Sequence, residues 1–431
     1  MVSELISQRY LVLKRQKRVE EGACIRLFMS IEIRLIFAIL FMTSVTASRS
    51  LRQFISRMKI LVNDFPSTEL KFCIGNESAD ADSIISSLCL AYYKSELSSP
   101  LNVVPICGIP SEDAILRRDI ELLLQKVDLS MRDLIYLNDC RFEKIKECGC
   151  LKVTLVDHNL LSRTLSVLDD YVDEIVDHHQ DSGSYANVVG MNREIAFDEA
   201  CKKATVGSTC TLVAERFFLQ PHLLTEDIAT LLMGVIALDT QNMSAEAGKG
   251  TERDALALGR LSQISSHSLS ALYAELRDCK TDRIYWSGLS ASNAFRLDYK
   301  SFVIPRKQSA YGIASVILPI VDMMKKDDFE SSLQSYLNSG LEVFAITSSF
   351  SDEASYHREL ALFTKDYDLL ENFAEFTLIE EGVSFQFMKN SETEEYLSKF
   401  ATSFYGVVYH QGNLKMSRKQ VAPFLTNFLS R

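Results

Sequence analysis

Four short stretches hold residue types that can do demanding chemistry. Gly75-Asn76-Glu77-Ser78-Ala79-Asp80-Ala81-Asp82-Ser83 places two aspartates one residue apart, with an asparagine just ahead of them. Carboxylates and amide carbonyls are hard oxygen donors suited to Mg2+ or Mn2+. The same aspartates could instead cap a helix that opens near Ser83. Val156-Asp157-His158-Asn159 offers an aspartate that could bridge two metals, or that could simply cap the next segment. In Val176-Asp177-His178-His179, two of only seven histidines stand side by side. Imidazole suits Mn2+, Fe2+ or Zn2+, and a neighbouring carboxylate can orient a ring. Two solvated loop histidines are the plainer alternative. Asp239 closes the apolar run 228–238. An unpaired carboxylate is costly there, so either a metal or a helix-end hydrogen bond is expected.

Together these stretches supply carboxylates, imidazoles and an amide in the numbers a two-metal hydrolase needs. Two cations about 3.5–4 Å apart can activate water and clamp a phosphoryl group.

The elements around them must bring them to one place. Residues 70–74 form a short apolar run, and 83–97 show helical spacing with Ile84, Ile85, Leu88, Ala91 and Tyr92 on one face. Residues 103–109 read as a second strand. Residues 113–127 read as a helix with Ile115, Leu116, Ile120, Leu123 and Leu124 inward. Residues 134–137, 153–156 and 174–176 read as further strands. Strands alternating with helices imply a mostly parallel sheet, and ligands bind beyond the carboxyl ends of such strands. Asn76, Asp139, Asp157 and Asp177 all follow apolar runs, so their polar groups should converge on one sheet edge. Helices are expected over 208–218 and 226–238, then a polar, mostly helical connector over 243–267. A second segment from about 268 has apolar runs of its own at 312–318, 342–347 and 383–388.

Composition narrows the functions open to the chain. Its 431 residues suggest two domains and a tail. With 47% hydrophobic and 24% charged residues it can build a core. A net charge of −11 argues against general nucleic-acid or anionic-membrane binding. Phosphate chemistry must therefore run through metal or through clustered Lys and Arg. The ten cysteines are scattered. Cys140, Cys148 and Cys150 have no second cluster to complete a zinc site. Such usage reads as reduced and intracellular. Residues 1–48 open on basic residues and continue into an apolar run over 35–47 that is shorter than the ~20 residues of a membrane span. A signal or anchor, an organelle presequence, and translated upstream sequence are three competing readings.

The order Asn76, Asp80-Ala81-Asp82, Asp157-His158-Asn159, Asp177-His178-His179, Asp239 resembles the DHH phosphoesterase superfamily. The likeness is to the branch holding family II inorganic pyrophosphatases, eukaryotic exopolyphosphatases and Prune phosphodiesterases. Within it the exopolyphosphatases are most similar. Gly75-Asn76-Glu77-Ser78-Ala79-Asp80 follows their pattern, with Asn where the pyrophosphatases carry His. So do Ile109-Pro110, Leu116-Arg117-Arg118-Asp119 and Val206-Gly207-Ser208. The segment after 268 resembles the DHHA2 domain: Asp298-Tyr299-Lys300-Ser301-Phe302 is similar to its lysine motif, and Ser417-Arg418-Lys419-Gln420-Val421-Ala422-Pro423 to its phosphate clamp. Tyr356-His357-Arg358-Glu359 resembles an exopolyphosphatase feature.

The resemblance implies a parallel α/β DHH domain over 49–267 and a smaller α/β DHHA2 domain over 268–431, with the site in the cleft between them. It implies Asn76, Asp80, Asp82, Asp157, His178 and Asp239 as ligands of two divalent cations, Mn2+ or Mg2+, with Co2+ a further candidate. Asp157 and Asp239 would be the shared carboxylates. The neutral amide of Asn76 tilts the preference towards Mg2+. Asp177 would orient the rings beside it, and His179 would face substrate. His158, Lys300, His357, Arg358, Arg418 and Lys419 would bind phosphate. The implied activity is release of orthophosphate from inorganic polyphosphate in the cytoplasm, or in an organelle or the secretory route if residues 1–48 act as a targeting segment. A pyrophosphatase or nucleotide phosphodiesterase is the alternative, and a non-catalytic scaffold the rival. No nucleic-acid partner is implied, and no membrane partner beyond an N-terminal anchor.

Overall fold

The structure is a computed structural model that describes residues 50–64, 70–97, 102–142, 151–305, 307, 309–352, 355–379 and 384–431. Two compact units divide after Gln53. The described part of the first is only residues 50–53, and everything below concerns the second.

Five strands build the first sheet: β1 (Leu70–Ile74), β2 (Asn102–Ile106), β3 (Leu151–Val156), β4 (Val172–Asp177) and β5 (Arg193–Ile195). Their order is β2-β1-β3-β4-β5, and every pairing is parallel. All five residues of β1 are buried, as expected of a strand covered on both faces. Helices Ala81–Leu97, Thr209–Leu219 and Glu226–Asp239 pack together beside this sheet, and the interior of the last is buried from Ile228 to Leu238. A small ribbon, β6 (Phe197–Asp198) with β7 (Lys203–Ala204), leads into the helix at Thr209.

The second sheet holds β8 (Tyr299–Val303), β9 (Ala310–Val316), β10 (Leu341–Ser351), β11 (Tyr356–Thr364), β12 (Phe387–Lys389) and β13 (Tyr405–Gln411). It runs β12-β13-β11-β10-β9-β8, with β9 and β10 parallel and the other pairs antiparallel. Apolar clusters cover both faces. One gathers Phe295, Phe329, Phe344 and Phe363, and the other Tyr311, Phe373, Phe424 and Leu425.

Several expectations need correction. Residues 134–137 are not a strand. Tyr136 makes a single bridge to Cys107 between two 3-10 turns. Asp139 is spent there, its carboxylate accepting the Tyr136 N–H at 2.9 Å. The helix expected over 113–127 is broken at Arg117 into a 3-10 turn, Ser111–Leu116, and a helix, Arg118–Gln125. Ile115, read as inward, is 80% exposed. The break follows from burial of the Arg117 guanidinium, which draws the chain out of helical geometry. The helix expected from residue 83 begins at Ala81, which puts Asp82 in its first turn. Within 243–267 only Glu252–Leu261 is α-helical. Of the run 383–388, Phe387 and Met388 lie in β12, and residue 383 lies outside the described residues. Residues 1–48, Cys148 and Cys150 also lie outside them. Among the described residues no helix is long and apolar enough to cross a membrane.

Candidate metal centre

The site forms where β1, β3 and β4 end. After β1 the chain turns so tightly that a Cβ on Gly75 would lie 2.3 Å from Ser83 Oγ, so only glycine fits. The side chain of Asn76 braces the loop. Its Oδ1 accepts from Ser78 N at 2.9 Å, Ser78 Oγ at 2.8 Å and Ala79 N at 3.1 Å. Its Nδ2 donates to Asp157 Oδ2 at 2.7 Å and to Asp157 O at 3.1 Å. The carbonyl oxygen that a cation would need is therefore occupied, and the donor side faces the next carboxylate. Arg117 fastens the same loop from below, donating to Ser78 O at 2.7 Å and Ala79 O at 3.1 Å. Ala79 and Asp157 both have positive φ, 45° and 62°. Strain of this kind persists only where the surroundings hold it, and it collects at functional sites.

Asp82 sits at the N-terminus of helix Thr209–Leu219. Its carboxylate accepts from Ser208 Oγ at 2.7 Å, Thr209 N at 2.7 Å and Cys210 N at 2.9 Å. Asp157 Oδ1 accepts from Thr209 Oγ1 at 3.0 Å. The Asp239 Oδ2 atom is buried without a hydrogen-bond partner among the described residues. Burial, then repulsion from neighbouring carboxylates, pushes the Asp82, Asp157 and Asp239 carboxyls above the ordinary range. Burial acts the same way on Asp80, but Lys300, Lys280 and the Ser83 N–H outweigh it and hold that carboxyl at about 2.

After β4, Asp177 organises both histidines. Its Oδ1 accepts from His178 N at 2.7 Å, His179 N at 3.1 Å and His179 Nδ1 at 2.8 Å. Its Oδ2 accepts from Asn159 Nδ2 at 2.6 Å. This fixes the His179 tautomer and leaves Nε2 bare. His178 Nδ1 lies 3.1 Å from Val206 O, so its Nε2 is bare too. That atom stands 3.5 Å from Asp157 Oδ1 and 3.8 Å from Asp82 Oδ2. Burial, and the charge of Lys419, keep His178 well below the ordinary imidazole range, so the ring is neutral at pH 7. His158 Nδ1 lies 3.0 Å from Val156 O, and burial lowers that ring to about 4.

The second domain contributes cations. Lys419, in the first turn of helix Arg418–Leu429, brings Nζ to 3.4 Å from His178 Nε2. Arg418 NH1 donates to Asp298 Oδ1 at 2.7 Å and to Asp298 O at 3.2 Å. Lys300, on β8, is close enough to lower the carboxyls of Asp80 and Asp157. The two residues from β11 behave differently. His357 Nε2 is 2.7 Å from Asp352 Oδ2 and 3.0 Å from Ser355 Oγ, and its ring stacks on Phe350. All of these partners lie on its own hairpin. Arg358 donates to Leu414 O at 2.8 Å.

Some residues that shape the site were not singled out by sequence reasoning. Asp254 accepts from Gly207 N and Thr251 N, both at 2.8 Å, and from Thr211 Oγ1 at 2.6 Å. It thereby holds the turn whose Val206 and Ser208 touch His178 and Asp82. Its spacing from Thr251 is a readable capping box. Lys280 stands near Asp80 and Asp239 and supports their ionised forms. Arg117 and Glu77 were quoted only as parts of motifs, and no local signal announces their roles.

These features fit a divalent cation. Ligand atoms of Asp157, His178 and His179 lie within 4.8 Å of one another. The orphaned Asp239 Oδ2 and the His178 Nε2, which Lys419 Nζ approaches at 3.4 Å, each carry a lone pair a cation could take, in a pocket of mutually repelling carboxylates.

Comparison with known proteins bears on the same residues. A family model described as "DHH family, N-terminal domain" matches residues 72–236, and one described as "DHHA2 domain" matches 274–428. Exopolyphosphatase PRUNE1 of Homo sapiens is 28% identical over 370 residues, covering 84% of this chain and 76% of that protein. The manganese-dependent inorganic pyrophosphatase of Methanocaldococcus jannaschii is 25% identical over 294 residues, covering 64% and 83%. Among solved structures, a Methanococcus jannaschii chain assigned to the family II inorganic pyrophosphatases superposes with a TM-score of 0.55 at 19% identity. It covers 84% of this chain and all of that one. That likeness carries the fold.

Proposed function

We propose that this chain, which belongs to the DHH family and carries a DHHA2 domain behind it, is an exopolyphosphatase. It would hydrolyse the terminal phosphoanhydride bond of linear polyphosphate and release orthophosphate. The observation that carries this reading is the meeting of two opposite sets of groups. A cluster of buried Asp82, Asp157 and His178, with the buried Oδ2 of half-buried Asp239, stands under Lys419, which arrives on helix Arg418–Leu429 of the second domain. The likeness to exopolyphosphatase PRUNE1 over 84% of the chain supports the substrate class.

In this reading Asp80, Asp82, Asp157, His178 and Asp239 hold two divalent cations, Mn2+ or Mg2+. When bound, such ions lower the pKa of water and neutralise charge on the transferring phosphoryl group. Asn76 acts on them through Asp157, which its amide orients. Asp177 holds His179 with Nε2 free to take or give a proton at the reacting phosphate. His158 is placed beside it, and its neutral ring can accept a hydrogen bond. Lys300, Arg418 and Lys419 bind phosphate oxygens, Arg418 after exchanging Asp298 for substrate. Arg358 would meet phosphates further along the chain. His357, held on its own hairpin, has no part in binding the reacting phosphoryl group. The boundary between the two domains falls in this reading between 267 and 268.

A pyrophosphatase is the second reading, favoured by the M. jannaschii likeness. Phosphate release from pyrophosphate, tripolyphosphate, long-chain polyphosphate and cyclic AMP, each with Mn2+ and with Mg2+, separates the two. The proposal expects tripolyphosphate and longer chains to turn over faster than pyrophosphate and cyclic AMP. Release from pyrophosphate alone favours the second reading, and release from none of them overturns both.

A further inference from the structure

Glu77 lies inside the loop that carries Asn76 and Asp80, yet its carboxylate turns away from the cluster. Oε1 accepts the backbone N–H of Ser301 in a short contact, and Oε2 accepts the Ser301 hydroxyl at 3.2 Å. Ser301 follows Lys300 on β8, which is the edge strand of the second sheet. A free backbone donor at a sheet edge needs a partner, and here a residue from the other domain supplies it. Both ends of the contact are stiff. The loop beneath Glu77 is braced by the Asn76 side chain and by Arg117. Next to Lys300, the Tyr299 ring stacks on Phe344 at 6.1 Å, lying over Gly312 where any side chain would collide with it. Burial pushes the Glu77 carboxyl up, while the Ser301 donors and the nearby charges of Lys300 and Arg418 oppose that push. None of its recorded partners is needed to hold the first domain's own fold.

We infer that Glu77 is a positioning residue: by gripping the Lys300–Ser301 peptide it sets where Lys300 stands over the carboxylate cluster and holds the two domains closed along β8. The assignment of Lys300 to phosphate rests on the proposed function, whereas the grip on β8 does not. Fixing one peptide plane fixes the Cα from which the long lysine side chain starts, and a small misplacement there is costly to phosphoryl transfer. Glu77 touches neither substrate nor cation and acts through Lys300.

The test uses the full chain in two arms. In the first, hydrogen exchange is followed without metal. Glu77→Ala should speed exchange of the Ser301 amide by about tenfold or more, since it loses a charge-assisted bond, while β1 and helix Ala81–Leu97 keep wild-type protection. Glu77→Gln keeps an acceptor and should stay within about threefold of wild type. In the second arm, tripolyphosphate hydrolysis is measured. Glu77→Ala should lower kcat/KM by about tenfold, with kcat falling as well as KM rising, at an unchanged Mn2+ activation constant. Glu77→Gln should recover most of the loss, and Glu77→Ala combined with Lys300→Ala should be no worse than Lys300→Ala alone. Unchanged exchange at Ser301 overturns the inference, and so do losses that multiply in the double variant. If wild-type protein releases no phosphate while the exchange result holds, the proposed function fails and the grip on β8 stands.

Discussion

The two halves of the site are built in opposite ways. The acidic half is anchored at the ends of parallel strands and largely enclosed, with strained backbone at Ala79 and Asp157 and, among its described carboxylates, only the Oδ2 atom of Asp239 buried without a donor. The basic half stands on long side chains that reach across a seam. Arg418 is held there by Asp298, and Lys419 points at His178. Cations must be bound where geometry is imposed, so their ligands need rigid elements. Phosphates arrive and leave, so their partners need reach and exchangeable contacts. The difference says which substitutions should destroy the chemistry and which should only weaken substrate handling.

The largest effect is expected at Asp157. Asp157→Asn should lower turnover by at least about a thousandfold, because in the proposed site it removes the charge shared by two cations. The metal-free protein should not melt lower than wild type. The Asp157 carboxyl is raised in the fold, so its ionised form at neutral pH opposes folding. Near-normal activity at saturating Mn2+ would break the comparison at its acidic side.

Next comes the basic half. Arg418→Ala with Lys419→Ala should lower kcat/KM by about a hundredfold on tripolyphosphate, divided between kcat and KM. The Mn2+ activation constant should survive, since every proposed ligand lies in the other domain. Wild-type kcat and KM would reduce both residues to surface charge.

A smaller effect is expected at Asp177, which lies outside the proposed set of cation ligands. Asp177→Asn should cost about 10–100-fold in activity through the orientation and tautomer of His179. The kcat pH profile is the readout, and an unchanged profile would remove His179 from proton transfer.

The smallest effect lies at the opposite end of the first sheet, where Glu174 at the start of β4 accepts from Lys71 at 2.9 Å and from Lys94 at 2.7 Å. Burial raises this carboxyl, but the two lysines outweigh it and hold it at about 2, below the ordinary 4.5. A depressed pKa stabilises the fold above the unfolded value and is lost as pH falls through the folded one. Acid unfolding of wild type should therefore steepen between about pH 4.5 and about pH 2, and Glu174→Gln should flatten it with no change in Mn2+ activation. An equal pH dependence in both proteins would remove Glu174 from the ledger of acid stability.

How far the site could be read ahead of the structure depended on where each partner lies. Asp157 and Asp177 follow apolar runs read as buried strands, and a parallel sheet brings such ends together, so their place at one sheet edge was legible in the sequence. Arg117 gives the contrary case. Its run had helical spacing, but the guanidinium reaches a loop 38 residues away, and that tertiary demand broke the helix. Glu77 reads as an ordinary acidic loop residue, because its partner Ser301 is 224 residues distant. His357 looked as good as His178 by residue type. It differs because Asp352, close by on the same hairpin, satisfies it locally. Residue types and their order pointed to the chemistry, while contacts across the seam needed the fold.

The central claim is that the buried cluster works through divalent cations on a phosphoanhydride substrate. Its most direct test is phosphate release from tripolyphosphate by chelator-treated protein, before and after Mn2+ or Mg2+ is restored. The account predicts no release before, recovery after, and two ions bound per chain at recovery. Release that persists without metal, or a metal-loaded protein that releases nothing, would contradict it.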